Sequence, residues 1–421
     1  MGDLNRQARR SEMASLPQPS VNIGMVGHVD HGKSTLTRAL TGIKTDIHSE
    51  EIKRGISIKL GYADTPVYTC SNENGEIYYT REPSCSDAKL VKVISFVDAP
   101  GHETLMATML SGSSIMNGAL LVIAANEKCP QPQTREHLTA LDIMGIKNII
   151  VVQNKIDLVT KERAVESYRE IKNFLRGSVA ESAPVIPVSA YHNTNIDVLL
   201  KAIVEYIPDP KFSETDDPRM YVARSFDVNK PGTKPADLKG GVLGGSLVQG
   251  RLSVGDEIEI VPGIQMSRGG RQVWENVTTM ITTLMAGKNS YESIKPGGLA
   301  AVGTKLDPFL TKGDSFTGRV VGRTGHVPPV VFGMVLDSYL LKRVVGFQEE
   351  QKVDPIRSKE NLMLTVGTAN TVGSVTGAKD SKIEIALKYP VAAYEGERVA
   401  LGRRISNRWR LIGYGNIISL S

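Results

Sequence analysis

Apolar runs alternate with stretches of mixed polarity along the first half of the chain. A continuous apolar run favours a strand buried on both faces, and a helical period favours a surface helix. These patterns predict strands at 21–26, 91–97, 118–125, 148–152 and 185–190, and helices at 35–40 and 134–144. Strands that alternate with helices form a doubly wound, mostly parallel α/β sheet, which binds ligands at the carboxyl ends of its strands.

The pattern changes after Met220. Short runs rich in Val, Ile and Thr are interrupted by glycine roughly every 8–12 residues, which is typical of antiparallel barrels. A second break falls at 325–329, Gly-His-Val-Pro-Pro. We therefore predict a disordered lead-in at 1–20, an α/β domain at 21–210, and two antiparallel β-barrel domains at 218–327 and 328–421.

Residues 27–34 read Gly-His-Val-Asp-His-Gly-Lys-Ser, a complete phosphate-binding motif between a predicted strand and a predicted helix. Glycines let backbone N–H groups approach phosphate oxygens, and the helix N-terminus adds a positive partial charge. Lys33 is expected to reach the β- and γ-phosphates. The candidate nucleotide contacts in this segment are Asp30, His31, Gly32, Lys33, Ser34 and Thr35.

Hydroxyl and carboxylate oxygens near this motif are candidate Mg²⁺ contacts. The Ser34 hydroxyl is expected to ligate the ion directly. Asp98 ends a predicted strand and suits an outer-sphere contact. Ser57 lies where a nucleotide-sensing switch would lie, so its hydroxyl is expected to contact Mg²⁺ only when the γ-phosphate is present. Asp30 is the fourth candidate.

The sequence Asp-Ala-Pro-Gly-His at 98–102 supplies the candidate hydrolytic residues. The Gly101 N–H can meet a γ-phosphate, and His102 is the best candidate to orient the attacking water. Asp30 is the next candidate, acting through a second cation near the γ-phosphate.

A second motif, Asn154-Lys155-Ile156-Asp157, predicts the choice of base. Asp157 can accept hydrogen bonds from the N1–H and 2-amino groups of guanine. Adenine offers neither in that arrangement and would leave a buried charge unpaired. Ser189 and Ala190 end the last predicted strand and can support the guanine through their backbone N–H groups.

Composition restricts the function only mildly. The 421 residues carry 50 Lys and Arg against 45 Asp and Glu, a net charge of +5 that permits a nucleic-acid partner without requiring one. No apolar run approaches the roughly 20 residues of a membrane span, so no membrane partner is expected. Arg403, Arg404, Arg408 and Arg410 cluster around Trp409, and they either contact RNA phosphates or form a solvated or interdomain face.

Three cysteines, Cys70, Cys85 and Cys129, do not make a disulfide framework, which predicts a reducing, cytoplasmic location. Cys70 and Cys85 each begin a spacing typical of a zinc knuckle, but the second cysteine of each pair is missing. A structural zinc site needs four ligands, so zinc is not expected. Cys129 is predicted to be a buried small apolar residue.

The order of a GTP-binding domain and two β-barrels resembles the translational GTPases, of which elongation factor Tu is one. The segments 26–33 and 98–102 carry that resemblance. The chain is more similar still to the gamma subunits of the heterotrimeric archaeal and eukaryotic translation initiation factor 2, over about residues 20–420. The supporting segments are Lys59–Ala63, Met106–Gly112, Arg224–Gly232 and Trp409–Gly415, and Asp30 is similar to the archaeal branch.

This resemblance implies a GTPase that alternates between GTP and GDP with Mg²⁺ and delivers initiator methionyl-tRNA to the small ribosomal subunit. It also implies alpha and beta subunits as partners, and hydrolysis that is slow alone and stimulated in the ribosomal complex. Ser57 stands where the family usually has threonine, which keeps the hydroxyl. The alternatives are an elongation factor for a specialised aminoacyl-tRNA and a sulfate-activating GTPase.

Overall fold

The fold is described from a computed structural model, which covers residues 16–43, 61–98, 106–344 and 351–421. The α/β part contains seven strands and five α-helices within those ranges. The strands are β1 Val21–Gly27, β2 Gly61–Ser71, β3 Ile77–Thr80, β4 Lys89–Asp98, β5 Gly118–Ala124, β6 Ile149–Asn154 and β7 Val185–Pro187. The helices are α1 Lys33–Thr41, α2 Met106–Ser113, α3 Pro132–Ile143, α4 Lys161–Leu175 and α5 Ile196–Tyr206.

These strands form one sheet in the order β3-β2-β4-β1-β5-β6-β7. Pairing is parallel from β4 through β7, whereas β2 is antiparallel to both β3 and β4. All residues of β1, β5 and β6 are buried, as continuous apolar runs predict for strands covered on both faces. The predicted doubly wound sheet is therefore confirmed, and the carboxyl ends of β1, β4, β5 and β6 meet at one edge.

The middle of the chain closes into an antiparallel barrel of six main strands. They are β8 Arg219–Phe226, β9 Val242–Gln249, β11 Glu257–Arg268, β12 Arg271–Ala286, β15 Leu299–Thr304 and β16 Val320–Arg323. Pairing follows β11-β16-β8-β9-β15-β12, and a further β11–β12 pairing closes the barrel. Further short elements of this region are the strands β10 Leu252–Ser253, β13 Asn289–Tyr291 and β14 Ser293–Ile294 and the helix α6 Pro308–Thr311.

The C-terminal barrel is closed by six antiparallel strands in the order β17-β20-β19-β18-β21-β22. Their bounds are β17 Val330–Leu340, β18 Asn361–Val366, β19 Ala369–Lys379, β20 Lys382–Ala392, β21 Arg398–Ile405 and β22 Arg408–Leu420. Inward and outward residues alternate along β20, and the inward ones, such as Ile383 and Ile385, fill the barrel core. The prediction of two antiparallel barrels is confirmed.

The segment just before β1 packs on the first barrel. The Tyr291 hydroxyl donates to the Leu16 carbonyl at 2.9 Å, and the Gly298 N–H donates to the Pro19 carbonyl at 2.7 Å. The prediction of a disordered lead-in is therefore wrong for residues 16–20, and residues 1–15 lie outside the described part. Pro19 is buried against the barrel, and burial of its apolar ring favours packing over solvation.

Cys70 and Cys85 form a disulfide, with Cα atoms 5.9 Å apart. The expectation that the cysteines stay unpaired is wrong for these two. The β2–β3 hairpin doubles the chain back, so residue 85 returns beside the buried end of β2. Cys129 is buried, as predicted, and forms no disulfide.

Two of the C-terminal arginines serve contacts within the chain. Arg403 pairs with Glu360 inside the C-terminal barrel, and Arg410 pairs with Glu136 of α3. Arg410 is 5% exposed. The interdomain alternative therefore holds for Arg410, which is not available to RNA phosphates.

Among the described residues, no helix is long and apolar enough to cross a membrane.

Asp64 of β2 lies beside Gly287 of the first barrel. A Cβ at Gly287, a turn residue with φ of 58°, would lie 3.0 Å from Asp64 Oδ2. The Ser95 hydroxyl donates to Asp64 Oδ1 at 2.6 Å. Burial raises the pKa of Asp64 to about 6, against the lowering effect of that hydrogen bond.

The raised pKa predicts a stability loss as pH rises. Between the ordinary carboxyl pKa and about 6, the folded chain holds a proton on Asp64 that the unfolded chain has released. The free energy of unfolding should therefore fall by about 2 kcal/mol as pH rises through this window, and Asp64→Asn should remove that fall. Denaturant titrations from pH 4 to 7 check it, with the exposed Asp354→Asn as control; parallel curves for wild type and Asp64→Asn would contradict it.

Candidate functional site

The phosphate-binding motif forms a tight loop between β1 and α1. Gly27 and Gly32 have φ of 141° and 86°, and Asp30 at the exposed tip has φ of 63°. A Cβ at position 27 would lie 2.3 Å from the Val122 carbonyl oxygen, and one at position 32 would lie 2.5 Å from Asn154 Nδ2. Both positions therefore require glycine, for conformation and for space.

Lys33, the first residue of α1, is buried and folded back over the loop. Its Nζ donates to the Gly27 carbonyl at 2.9 Å and to the His28 carbonyl at 2.7 Å. The ammonium is thus held inside the loop at the amino end of α1, where helix N–H groups add positive partial charge. Thr35 is exposed in the first turn of the same helix.

Ser34 and Asp98 meet where β1 and β4 end side by side. The Ser34 hydroxyl donates to Asp98 Oδ2 at 2.9 Å. Asp98 is fully buried. The structure thus brings together two of the four predicted metal contacts, whereas Ser57 lies outside the described residues and so do the predicted hydrolytic residues Gly101 and His102.

Asn154, at the end of β6, joins the phosphate loop to the predicted base-binding segments. Its Nδ2 donates to the His31 carbonyl at 2.9 Å, and its Oδ1 accepts the Ala190 N–H at 3.1 Å. Ser189 and Ala190 are both buried. One amide side chain therefore fixes the distance between the two motifs.

Asp157 lies in the turn that follows β6. Lys155 has φ of 62°, and a 3₁₀ turn, Ile156–Leu158, carries the carboxylate beyond the strand end. His192 Nε2 lies 3.9 Å from Asp157 Oδ2. The five predicted base-binding positions, 154, 155, 157, 189 and 190, thus lie at the same sheet edge as the phosphate loop.

The His31 side chain points away from the loop interior. Its Nδ1 lies 3.0 Å from the Val122 carbonyl oxygen, and its Nε2 lies 3.4 Å from Glu127 Oε2. Burial lowers the pKa of His31 to about 4, although Glu127 acts in the opposite direction. The ring is neutral near pH 7, so its contact with Glu127 is a hydrogen bond rather than an ion pair.

Two residues of α3 contact the loop and were not predicted. The Gly27 N–H donates to His137 Nδ1 at 2.8 Å, and the Val29 N–H donates to Gln133 Oε1 at 3.1 Å. Their spacing of four places both on one helix face. That spacing is visible in the sequence, but nothing in it shows that this face meets the loop.

Two protein-family models match this chain, one in its N-terminal half and one near its C-terminus. Residues 18–209 match the model described as the elongation factor Tu GTP binding domain. Residues 333–417 match the model described as initiation factor eIF2 gamma, C terminal.

The chain is similar to solved structures of elongation factors. One is a bacterial selenocysteine-specific elongation factor, with a TM-score of 0.73 and 22% identity, covering 96% of this chain and 59% of that one. Another is translation elongation factor SelB from Methanococcus maripaludis with a GTP analogue, with a TM-score of 0.70 and 21% identity, covering 96% and 80%. At this identity the likeness shows the fold alone.

Sequence relatives extend over nearly the whole chain. Translation initiation factor 2 subunit gamma of Thermoplasma acidophilum is 73% identical over 405 residues, covering 96% of this chain and 98% of the relative. The subunit of the same description from Pyrococcus abyssi is 58% identical over 404 residues, covering 95% and 98%. With its elongation-factor-like GTP-binding domain, the chain belongs to the family of translation initiation factor 2 gamma subunits, which are translational GTPases.

Proposed function

We propose that this gamma subunit binds initiator methionyl-tRNA in its GTP state, delivers it to the small ribosomal subunit, and releases it after GTP hydrolysis. It acts in the cytoplasm within a heterotrimer with alpha and beta subunits. The observation that carries the proposal is the similarity to gamma subunits over nearly the whole chain. It is supported by a phosphate loop and candidate base-binding segments that lie at one sheet edge.

The phosphate loop binds the β- and γ-phosphates. Backbone N–H groups of residues 30–35 and the Lys33 ammonium supply the positive charge, since Lys33 already lies buried within the loop. Lys33 exchanges its carbonyl contacts for phosphate oxygens when nucleotide binds. The same carbonyl contacts hold the ammonium near the site beforehand, which lowers the entropy cost of binding.

Asp157 selects guanine. Its carboxylate accepts from the N1–H and 2-amino groups, while Ser189 and Ala190 support the base through backbone N–H groups. Asn154 contributes by holding both segments together, because its amide contacts His31 and Ala190 at once. Lys155 completes the base-binding segment.

The residues near the loop suit Mg²⁺. Ser34 and Asp98 present a hydroxyl and a carboxylate 2.9 Å apart, and oxygen donors of this kind are the ligands that Mg²⁺ prefers. Ser34 would hold the ion directly, with Asp98, Asp30 and Ser57 around it. The ion would supply charge neutralisation between the β- and γ-phosphates.

Zinc is not part of this proposal. Cys70 and Cys85 are joined to each other, so neither offers a thiolate, although Asp87 lies beside them. Two sulfurs and one carboxylate also fall short of four tetrahedral ligands. The cytoplasmic assignment consequently rests on the role in translation and not on the cysteines.

Binding of initiator tRNA is the direct test of the proposed function. Filter binding should retain initiator methionyl-tRNA about 10-fold better with a non-hydrolysable GTP analogue than with GDP, a ratio within the usual range for coupled ligands. Elongator methionyl-tRNA is the matched control and should bind more weakly. Equal retention in both nucleotide states would contradict the proposal, and a preference for selenocysteinyl-tRNA would favour the specialised elongation factor.

Hydrolysis tests the role proposed for His102, which orients the attacking water while Gly101 contacts the γ-phosphate. Phosphoryl transfer depends on positioning and charge, so His102→Ala should slow stimulated hydrolysis by roughly 10²-fold. The affinity for GTP should stay within about 2-fold, because His102 contacts the water and not the nucleotide. Normal hydrolysis in the folded variant would exclude His102, and Asp30→Ala would then be measured next.

A further inference from the structure

Helix α3 lies between the phosphate loop and the C-terminal barrel. Gln133 and His137 accept hydrogen bonds from the loop N–H groups of Val29 and Gly27. The same helix contacts strand β22 of the barrel. One rigid element therefore contacts both the nucleotide site and a separate domain.

The barrel holds α3 at two points. The Arg410 guanidinium donates to Glu136 Oε1 at 2.7 Å, and both side chains are at least 94% buried. The Arg398 guanidinium donates to the Ile143 carbonyl at 2.7 Å, at the carboxyl end of the helix. A cation is favourable there because of the helix dipole. Arg398 also lies 4.3 Å from the centre of the Tyr414 ring, which fixes it within the barrel.

His137 is suited to a permanent contact with the loop. It is buried, and this burial lowers its pKa to about 3, with the Lys33 ammonium acting in the same direction. The imidazole is therefore neutral near pH 7, so Nδ1 keeps the lone pair that accepts the Gly27 N–H.

The spacing of these residues makes the helix a connector. Gln133 and His137 lie one turn apart on the face that meets the loop. Glu136 lies about 100° away around the helix and faces the barrel. The same twelve-residue helix thus carries the contacts to the loop and the contact to the barrel.

We propose that the C-terminal barrel controls nucleotide retention through α3. Arg410 and Arg398 fix the position of the helix, and Gln133 and His137 convey that position to Val29 and Gly27. All four are positioning residues, since none is assigned a contact with the nucleotide. The inference rests on the proposed guanine nucleotide binding. Because coupling is reciprocal, a macromolecule that displaces the barrel from α3 would change nucleotide affinity, and nucleotide would change its affinity equally.

Release of a fluorescent GDP derivative from the full-length chain, followed by stopped flow, tests this coupling. Arg398→Met removes one clamp without leaving a buried charge. The paired change Glu136→Met with Arg410→Met removes the other, since changing one partner alone would leave an unpaired buried charge. Each should speed release by about 5-fold, within the range measured for residues that couple distant sites.

Arg403→Met is the matched control. Arg403 lies directly opposite Arg410 on the neighbouring strand, but it pairs with Glu360 inside the barrel. Its replacement should change the release rate by less than about 2-fold, which is within the error of additivity for uncoupled sites. Melting temperatures of all variants separate loss of stability from loss of coupling.

Variants of His137 identify the route. His137→Leu should speed release, and His137→Asn should restore much of the wild-type rate because its amide oxygen can accept the Gly27 N–H. In the His137→Leu background, Arg398→Met should add little further effect, because the connection to the loop is already weakened. Non-additivity of this kind is the signature of residues that act in series.

Three results would overturn the proposal. They are an unchanged release rate in Arg398→Met, fully additive effects of His137→Leu and Arg398→Met, and a lower melting temperature with no change in release. If the paired variant does not fold, Arg398→Met decides the question alone. Failure of the wild type to bind the GDP derivative would instead refute the proposed nucleotide site, so the two failures are distinguishable.

Discussion

The structure depends on one constraint, which is that the loop at 27–34 must hold its shape between β1 and α1. Lys33 satisfies the Gly27 and His28 carbonyls from within the loop, and residues outside it pair with other backbone groups of the loop. On one side of the loop, the Asn154 amide donates to the His31 carbonyl. On the other side, His137 accepts the Gly27 N–H. Glycine at 27 and 32 is required because neighbouring groups lie too close for a Cβ.

The two barrels meet the α/β domain in chemically different ways. The contacts of the first barrel include a 2.9 Å hydrogen bond from Asn22 Nδ2 to the Ser246 hydroxyl, a pair of neutral polar groups. The C-terminal barrel uses the buried Arg410–Glu136 pair. Removing one partner of such a pair leaves an uncompensated buried charge, so each partner depends strongly on the other. The pair lies on the helix whose Gln133 and His137 contact the phosphate loop.

Sequence and structure agree for several features that are encoded by adjacent residues. Strands such as Val21–Gly27 were predictable because a strand buried on both faces is mostly apolar, and the loop at 27–34 because its two glycines and Lys33 lie at fixed spacing within eight residues. Contacts between distant residues were not predictable. Counting cysteines missed the Cys70–Cys85 disulfide, which exists because a hairpin returns the chain, and the arginine cluster did not show that Arg410 is buried against α3. The hydrolytic assignment of His102 stays a prediction from motif spacing.

We propose that this sheet edge binds a guanine nucleotide and that Asp157 reads the base. Titration calorimetry of wild type and Asp157→Asn with GDP and xanthosine diphosphate tests it most directly. The substitution replaces an acceptor pair by an amide with donors, and xanthine presents a carbonyl where guanine has its 2-amino group. We expect the GDP to xanthosine diphosphate affinity ratio to fall by about 10²-fold or more, as one or two charged hydrogen bonds are lost and regained. An unchanged ratio in the folded variant would contradict the account.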